Sequence, residues 1–379
     1  MSEALSRQLA ALPPELRAEL SRHRFDEARL LSLASNFLLG RSGAETNRVG
    51  GVVAPPSPGD LGSLPELGSA ERARLEERGL AALARGEAAL CVLAGGMATR
   101  MGGVVKALVE ALPGRTFLEL RLREREALAA RVGRAAPLWL MSSHASDAPL
   151  RAALGARSEG DRVAVFTQDS SLRLTRSGAL HLDARGAPSL YACGHGDLPG
   201  ALRASGLLER FVARGGRTVL VANLDNLGAG LDPAILGWHL EHGAPATCEV
   251  VEKVGADRGG IPVRLDGRLV VLEEFRLPRG FEPDAVRVFN TNTFHFDARA
   301  LLEAELEFTW FSVEKQVEES TVIQFERLIG EVTSSLETRF LMVPRVGAQS
   351  RFLPVKDTAE LSARREALEV LARARGMVP

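Results

Sequence analysis

Ala89-Leu-Cys-Val-Leu-Ala-Gly-Gly-Met-Ala-Thr-Arg-Met-Gly-Gly-Val-Val-Lys106 decides how the rest of the chain is read. Leu90 to Ala94 is a short apolar run that stops at two glycines, as a buried parallel strand does where it enters a tight loop. Gly95 and Gly96 have no Cβ, so their backbone can approach a ligand closely. Thr99, Arg100 and Lys106 add a hydroxyl and two cations. Strand, glycine turn, bare amides and cations together predict a site for a base and its phosphates. The run has neither Gly-x-Gly-x-x-Gly nor a Gly-Lys-Ser/Thr ending, so it is neither of the two common phosphate loops, and a dinucleotide-dependent dehydrogenase is disfavoured.

Outward from this stretch, alternation sets the fold class. Strands are expected at 137–141, 163–166, 217–223 and 247–251, with helices at 70–85 and 116–132, the latter with arginines on its outer face. Such alternation predicts an α/β fold with a mainly parallel sheet. Later strands at 269–275 and 286–296 are expected to include antiparallel ones. Residues 1–40 read as helices, broken at Pro13-Pro14 and capping the core, with His23 at the surface. Gly40 to Gly68 has loop composition. The expected organisation is a helical N-terminal segment with a Gly/Pro-rich loop (1–86), a core (87–340) and a C-terminal segment (341–379) with a short helix at 360–375.

Composition narrows the function classes. The chain has 379 residues and a net charge of −1, which gives no overall field toward nucleic acid or an acidic membrane. No stretch is apolar enough to span a bilayer, no signal peptide is evident, and Cys91, Cys193 and Cys248 show no metal-ligand spacing. A cytoplasmic monomer acting on small molecules is expected. Of 47 basic residues only four are lysines, Lys106, Lys253, Lys315 and Lys356. In a chain that otherwise uses arginine, each lysine is a candidate for chemistry that needs a compact point charge.

The polar segments sit where strands end. Gln168 follows the strand at 163–167, and its amide suits a pyrimidine edge. In Gly194-His195-Gly196-Asp197, the imidazole lies on backbone that can come close to a phosphate or hydroxyl, and Asp197 is a plausible cap for the helix that follows. Asn223 and Asp225 close the strand at 217–223, two apart and facing one way while the strand persists. In open α/β sheets ligands bind beyond the carboxyl ends of strands, and a carboxylate there is placed to hold Mg²⁺ alongside substrate phosphates. His239, His242 and His295 are expected to serve packing or the surface.

The glycine stretch resembles the Leu-x-Gly-Gly-x-Gly-Thr-x-x-Gly…Lys loop of the sugar nucleotidyltransferases, more closely the UDP-sugar pyrophosphorylases. The resemblance continues in order through Gln168, Gly194-His-Gly-Asp197, Asn223-Leu-Asp-Asn-Leu-Gly-Ala229, Lys253 with Gly259-Gly260, Leu272-Glu-Glu-Phe275 and Phe289-Asn-Thr-Asn292. It ends with Val322-Ile-Gln-Phe-Glu326, similar to a helix of the family, and Arg351-Phe-Leu-Pro-Val-Lys356, which is most like the UDP-glucose enzymes. It implies a Rossmann-like nucleotidyltransferase core. It implies nucleotide contacts at Leu93, Ala94, Gly95, Gly96, Gln168, Gly194 and Asp225, and sugar-phosphate contacts at His195, Asn223, Glu274, Asn290, Asn292 and Lys253. Lys106, Lys356 and Arg100 are the implied catalytic cations, Asp225 the Mg²⁺ ligand, and Gln324 and Glu326 buttresses. The implied reaction joins UTP and glucose 1-phosphate into UDP-glucose and pyrophosphate. Alternatives are the same reaction on another sugar 1-phosphate, or a nucleotide-sugar-binding protein without turnover. The sequence departs from the family at Ala98, where the loop has glycine, and at Val105-Lys106 in place of Pro-Lys. The family's C-terminal β-helix is not expected here.

Overall fold

The computed structural model describes residues 2–98, 103–255 and 257–379. Thr99 and Arg100 therefore lie outside the described residues. An eight-stranded mixed sheet carries the fold. In chain order its strands are β1 (Leu61–Ser63), β2 (Ala88–Leu93), β3 (Leu138–Ser142), β4 (Val163–Thr167), β5 (Thr218–Asn223), β6 (Ala246–Glu252), β7 (Val288–Asp297) and β8 (Thr338–Met342). Across the sheet they lie in the order β1-β8-β6-β7-β5-β2-β3-β4. Only β7 runs against its neighbours, β5 and β6; every other pairing is parallel. The α/β class and the mainly parallel sheet thus stand as the alternation predicted.

The central strands read as unbroken apolar runs because both faces are covered. Ala89 and Cys91 of β2 and Val219 and Val221 of β5 enter one core with Trp139, Trp238 and Phe296. Leu90, Val92 and Leu220, one residue out of phase, enter the opposite core with Phe117, Leu140 and Leu368. Successive side chains of a strand point to opposite faces, so one strand feeds both cores.

Helices α1 (Ser2–Ala10), α2 (Pro14–Arg22) and α3 (Glu27–Leu38) cap a third apolar cluster, in which Leu5, Leu9 and Leu30 meet Leu172, Ile323 and Phe325. α4 (Ala70–Arg85) starts where the Ser69 side chain accepts the Arg72 N–H and stops at Gly86, whose φ is 78°. α5 (Phe117–Val132) starts with a capping box in which Thr116 and Glu119 satisfy each other's backbone N–H groups. Among the described residues no helix is long and apolar enough to cross a membrane.

Several expectations are corrected. Residues 320–326 form a strand paired with Phe311–Val317, not a helix; Thr321-Val-Ile is β-branched and suits a pleated surface. The Gly40–Gly68 stretch contains β1, which adds an edge to the main sheet, and the expected boundary at 340/341 falls inside β8. His23 is buried against His144, not at the surface. On α5, Arg121 points inward and is fully buried.

Candidate functional site

A cavity of about 380 Å³ opens at the carboxyl ends of β2, β4 and β5, where loops leave the sheet. Leu93, Ala94, Gly95, Gly96, Lys106, Gln168, Gly194, His195, Asn223 and Asp225 all line it. Segments spread from Leu93 to Asp225 thus meet as the strand ends predict. Glu326, expected to buttress, also reaches the wall and pairs with Lys315 at 3.6 Å.

On either side of residues 99–102, Met97 and Ala98 pair antiparallel with Val105 and Val104, and the Lys106 N–H donates to Gly96 O at 3.2 Å. A Cβ on Gly95 would lie 2.1 Å from Gln168 Nε2, so this glycine makes room for the glutamine. A Cβ on Gly96 would meet nothing within 4 Å, which leaves that backbone open to the cavity. Gln168 is buried, and among the described residues its side-chain amide has no hydrogen-bond partner. A buried amide without a partner is one that a ligand can satisfy.

His195 is held from behind. The Ile329 N–H donates to His195 Nδ1 at 2.9 Å, which puts the ring's proton on Nε2. Desolvation lowers its pKa to about 4, so the ring is a neutral donor at physiological pH. Gly194 and Gly196 are needed for another reason: a Cβ at either would strike the Arg327–Leu328 backbone at 2.5 to 2.6 Å. Asp197 does not cap the following helix; it accepts from Arg327 Nε at 2.7 Å and from the Asp169 N–H at 2.9 Å.

The Asp225 loop is mounted on two buried arginines, Arg121 and Arg351, and the part-buried Arg375, none of which the sequence marked as an anchor of this loop. Arg121 donates to Asn226 O and Arg375 to Gly228 O, each at 2.5 Å, and Arg351 donates to Gly230 O at 2.8 Å. Glu124 joins Arg121 (2.7 Å) to Arg375 (2.9 Å), while Glu249 takes Arg351 at 2.8 Å and His295 at 2.8 Å. The Asn226 amide clamps the same loop to the C-terminal segment, donating to Arg351 O at 3.0 Å and accepting from the Leu353 N–H at 2.8 Å. Loop carbonyls otherwise left without partners are thus satisfied by guanidinium forks. Burial alone would raise the Glu249 carboxyl, but Arg351 and His295 outweigh it and hold the group at about 2.

Asn292 reaches the site through a bulge. The register between β6 and β7 shifts after Glu249, and Asn292 takes a φ of 57°, a conformation asparagine tolerates better than most residues. Its Nδ2 then donates to Asn223 Oδ1 at 3.0 Å, beside the cavity. Asn290 is buried behind it, accepting the Asn292 N–H at 2.9 Å.

Three expected residues lie elsewhere. Lys253 is nearly buried between Asp284 (3.1 Å) and Glu274 (3.6 Å) and does not line the cavity. Glu274 also faces Arg258 at 3.7 Å, so its charge is committed away from the cavity. Its neighbour Glu273 is the carboxylate beside Asn290: a Cβ on Gly260 would lie 2.9 Å from Glu273 Oε1 and 3.2 Å from Asn290 Nδ2. Burial and the charge of Glu274 push Glu273 up to about 7. Lys356 lines a second cavity of about 220 Å³ with Arg345 and Arg364. Only its backbone connection is close, since the Val355 N–H donates to Asp225 O at 3.2 Å.

Lys106 Nζ donates to the Asp225 carboxylate. Among the described residues no three His, Cys, Asp or Glu side chains converge as a metal cage. One carboxylate at a cavity wall fits a Mg²⁺ that completes its shell with phosphates and water, not a metal held by protein alone.

A sheet of this order, with a glycine loop, a carboxylate and an ammonium at its carboxyl edge, defines an α/β fold of the UDP-sugar pyrophosphorylase class. The solved structure of UDP-glucose phosphorylase from Trypanosoma brucei has the same fold, with a TM-score of 0.74 and 21% identity over 96% of this chain and 78% of that one. The chain belongs to the UTP–glucose-1-phosphate uridylyltransferase family, whose model matches residues 61–375. It is 31% identical over 293 residues to the UTP–glucose-1-phosphate uridylyltransferase of Saccharomyces cerevisiae, covering 72% of this chain and 58% of the yeast protein. It is 33% identical over 286 residues to that of Hordeum vulgare, covering 71% of this chain and 59% of the barley protein. The chain therefore spans somewhat under 60% of these relatives' length.

Proposed function

We propose that the chain is a uridylyltransferase that joins UTP and glucose 1-phosphate into UDP-glucose and pyrophosphate. The observation that carries this reading is the convergence of Gln168, Lys106, His195 and Asp225 on one cavity beyond the strand ends. The Gln168 amide reads the uracil edge, and the open Gly96 backbone lies along the phosphates. His195 donates from Nε2 to the sugar phosphate, and Asn223 and Asn292 hold the sugar with Glu273. Lys106 balances charge at the α-phosphate. Lys356 follows the backbone contact to Asp225 and takes the charge that gathers on the leaving pyrophosphate. Asp225 would hold a Mg²⁺ brought by the nucleotide, and that ion would supply further neutralisation of the phosphates.

No general base is required. A phosphate monoester has its second pKa near ~6, so the attacking oxygen is already ionised at neutral pH. The protein's work is alignment for in-line displacement at the α-phosphorus and cancellation of charge there. We further propose a cytoplasmic monomer, a reading supported by three buried free thiols and a net charge near zero. Pyrophosphate release from UTP, Mg²⁺ and glucose 1-phosphate tests the reaction. Adding galactose and N-acetylglucosamine 1-phosphates in competition tests the sugar. No release with any of the three would leave a binding protein without turnover.

A further inference from the structure

Behind the Asp225 loop lies a larger cavity, about 520 Å³, between α4, α5, the start of the helix Pro233–His242 and the end of the helix Arg365–Ala374. This volume falls within the range of small-molecule sites. Its charged walls are almost all paired. Arg131 bonds Glu76, Arg375 bonds Glu124 at 2.9 Å, and Asp232 accepts the Ala234 and Ile235 N–H groups at 2.9 and 3.1 Å. Arg72 is the exception. The residue as a whole is 9% exposed and lines the cavity, and among the described residues its guanidinium has neither a hydrogen bond nor an ion pair. A guanidinium that faces the cavity without a protein partner is free to take one there, and its planar fork matches a carboxylate or phosphate.

We propose that this cavity is a binding site for a small organic anion gripped by Arg72, and that its occupancy steadies the Asp225 loop. The link is physical. Arg375 and Glu124 form the inner wall, and the same two residues reach the loop: Arg375 donates to Gly228 O, and Glu124 orients Arg121 on Asn226 O. A ligand that packs against the Arg375–Glu124 pair restricts the side chains that hold the carbonyls flanking Asp225. The site does not depend on the uridylyltransferase reading.

The test uses the full chain without nucleotide, with citrate as a carboxylate probe and inorganic phosphate as a phosphate probe at constant ionic strength. Wild type shows a saturable rise in unfolding temperature with at least one of them, and which one responds identifies the anionic group. Arg72→Gln abolishes the rise, Arg72→Lys keeps the charge but weakens binding about tenfold by losing the fork, and Lys106→Ala leaves it intact. Hydrogen exchange over residues 223–230 slows with the probe in wild type and not in Arg72→Gln. An absent response to both probes, or one that survives both Arg72 substitutions, overturns the site. A response lost in Lys106→Ala belongs to the cavity at the strand ends and also overturns it. Binding that leaves exchange at 223–230 unchanged overturns the coupling.

Discussion

Lys106 and Asp225 form an ion pair across the cavity, although they come from loops 119 residues apart. A nucleotide phosphate competes with Asp225 for the ammonium, and a divalent cation competes with Lys106 for the carboxylate. Binding therefore exchanges one pair for two. Lys106→Ala and Asp225→Asn should each lower kcat for pyrophosphate release by about 10²–10³-fold, the loss typical of removing one group that stabilises developing charge. Because the two act as a unit, the double variant should be within about tenfold of the worse single one. Fully additive losses would mean that they serve separate steps.

Lys356 makes a second case, because its side chain lines the neighbouring cavity while its backbone abuts Asp225. If it meets the leaving pyrophosphate, Lys356→Ala lowers kcat by about 10²-fold or more and leaves the KM for glucose 1-phosphate within a few-fold. Lys356→Arg should restore little, since a planar fork does not replace a point charge that follows a moving group. Steady-state kinetics of both variants decide it.

The two adjacent glutamates separate cleanly by geometry. Glu274 is committed to Lys253 and Arg258, whereas Glu273 lies beside Asn290. Glu273→Ala should raise the KM for the sugar phosphate about 10–100-fold, the range for a lost hydrogen bond to a charged group, and Glu274→Ala should change it less than about threefold. The reverse ranking would restore the role that the sequence match gave to Glu274.

Strand ends were legible because a glycine pair or a polar turn after an apolar run is a local signal, and the sheet then brings such ends together. Gly95, Gln168, Asn223 and Asp225 were found that way and His195 by its place between two glycines, and all line one cavity. What was not legible depends on contacts between distant segments. Nothing near Arg121 marks it as buried, since an arginine on a helix reads as surface until the loop it serves is in place, and neither the string that Arg351 opens nor the end of the last helix shows that Arg351 and Arg375 reach that loop. The choice between Glu273 and Glu274 turned on which face of a strand end meets Asn290. The strand at 320–326 was read as a helix because a resemblance to a motif carries no backbone geometry, while its β-branched run did.

Histidines should give the fold an acid-sensitive flank. Desolvation lowers His239 to about 3, and His144 and His195 to about 4, from an ordinary value of 6.5. Below 6.5 the unfolded chain takes up protons that the folded chain refuses. Stability therefore rises with pH from about 4 to 6.5 and levels off above. His239, bonded to Thr247 at 2.9 Å, is far enough inside for His239→Gln to make this slope shallower by up to ~1.4 kcal/mol per pH unit in urea titrations. In kinetics, the Nε2–H donor of His195 does not titrate between about pH 5 and 8, so no histidine inflection should appear there in kcat/KM.

Arg351 separates stability from turnover. It is 1% exposed, forks onto Glu249, and holds both Gly230 O and the Asn226 clamp. Arg351→Met removes the partner of a fully buried carboxylate, which costs about 3–5 kcal/mol and should shift the urea midpoint accordingly. Replacing both members of such a pair by apolar groups of similar volume is often neutral, so Glu249→Leu with Arg351→Met should recover much of that loss, apart from what His295 contributes. The double variant still lacks the donor to Gly230 O, so the Asp225 loop stays unanchored on that side. Turnover should therefore remain depressed about tenfold or more after the midpoint has recovered, because misplacing a group by about an ångström is costly in an aligned site. If activity returned in step with stability, Arg351 would serve the core alone and the loop's position would not depend on it.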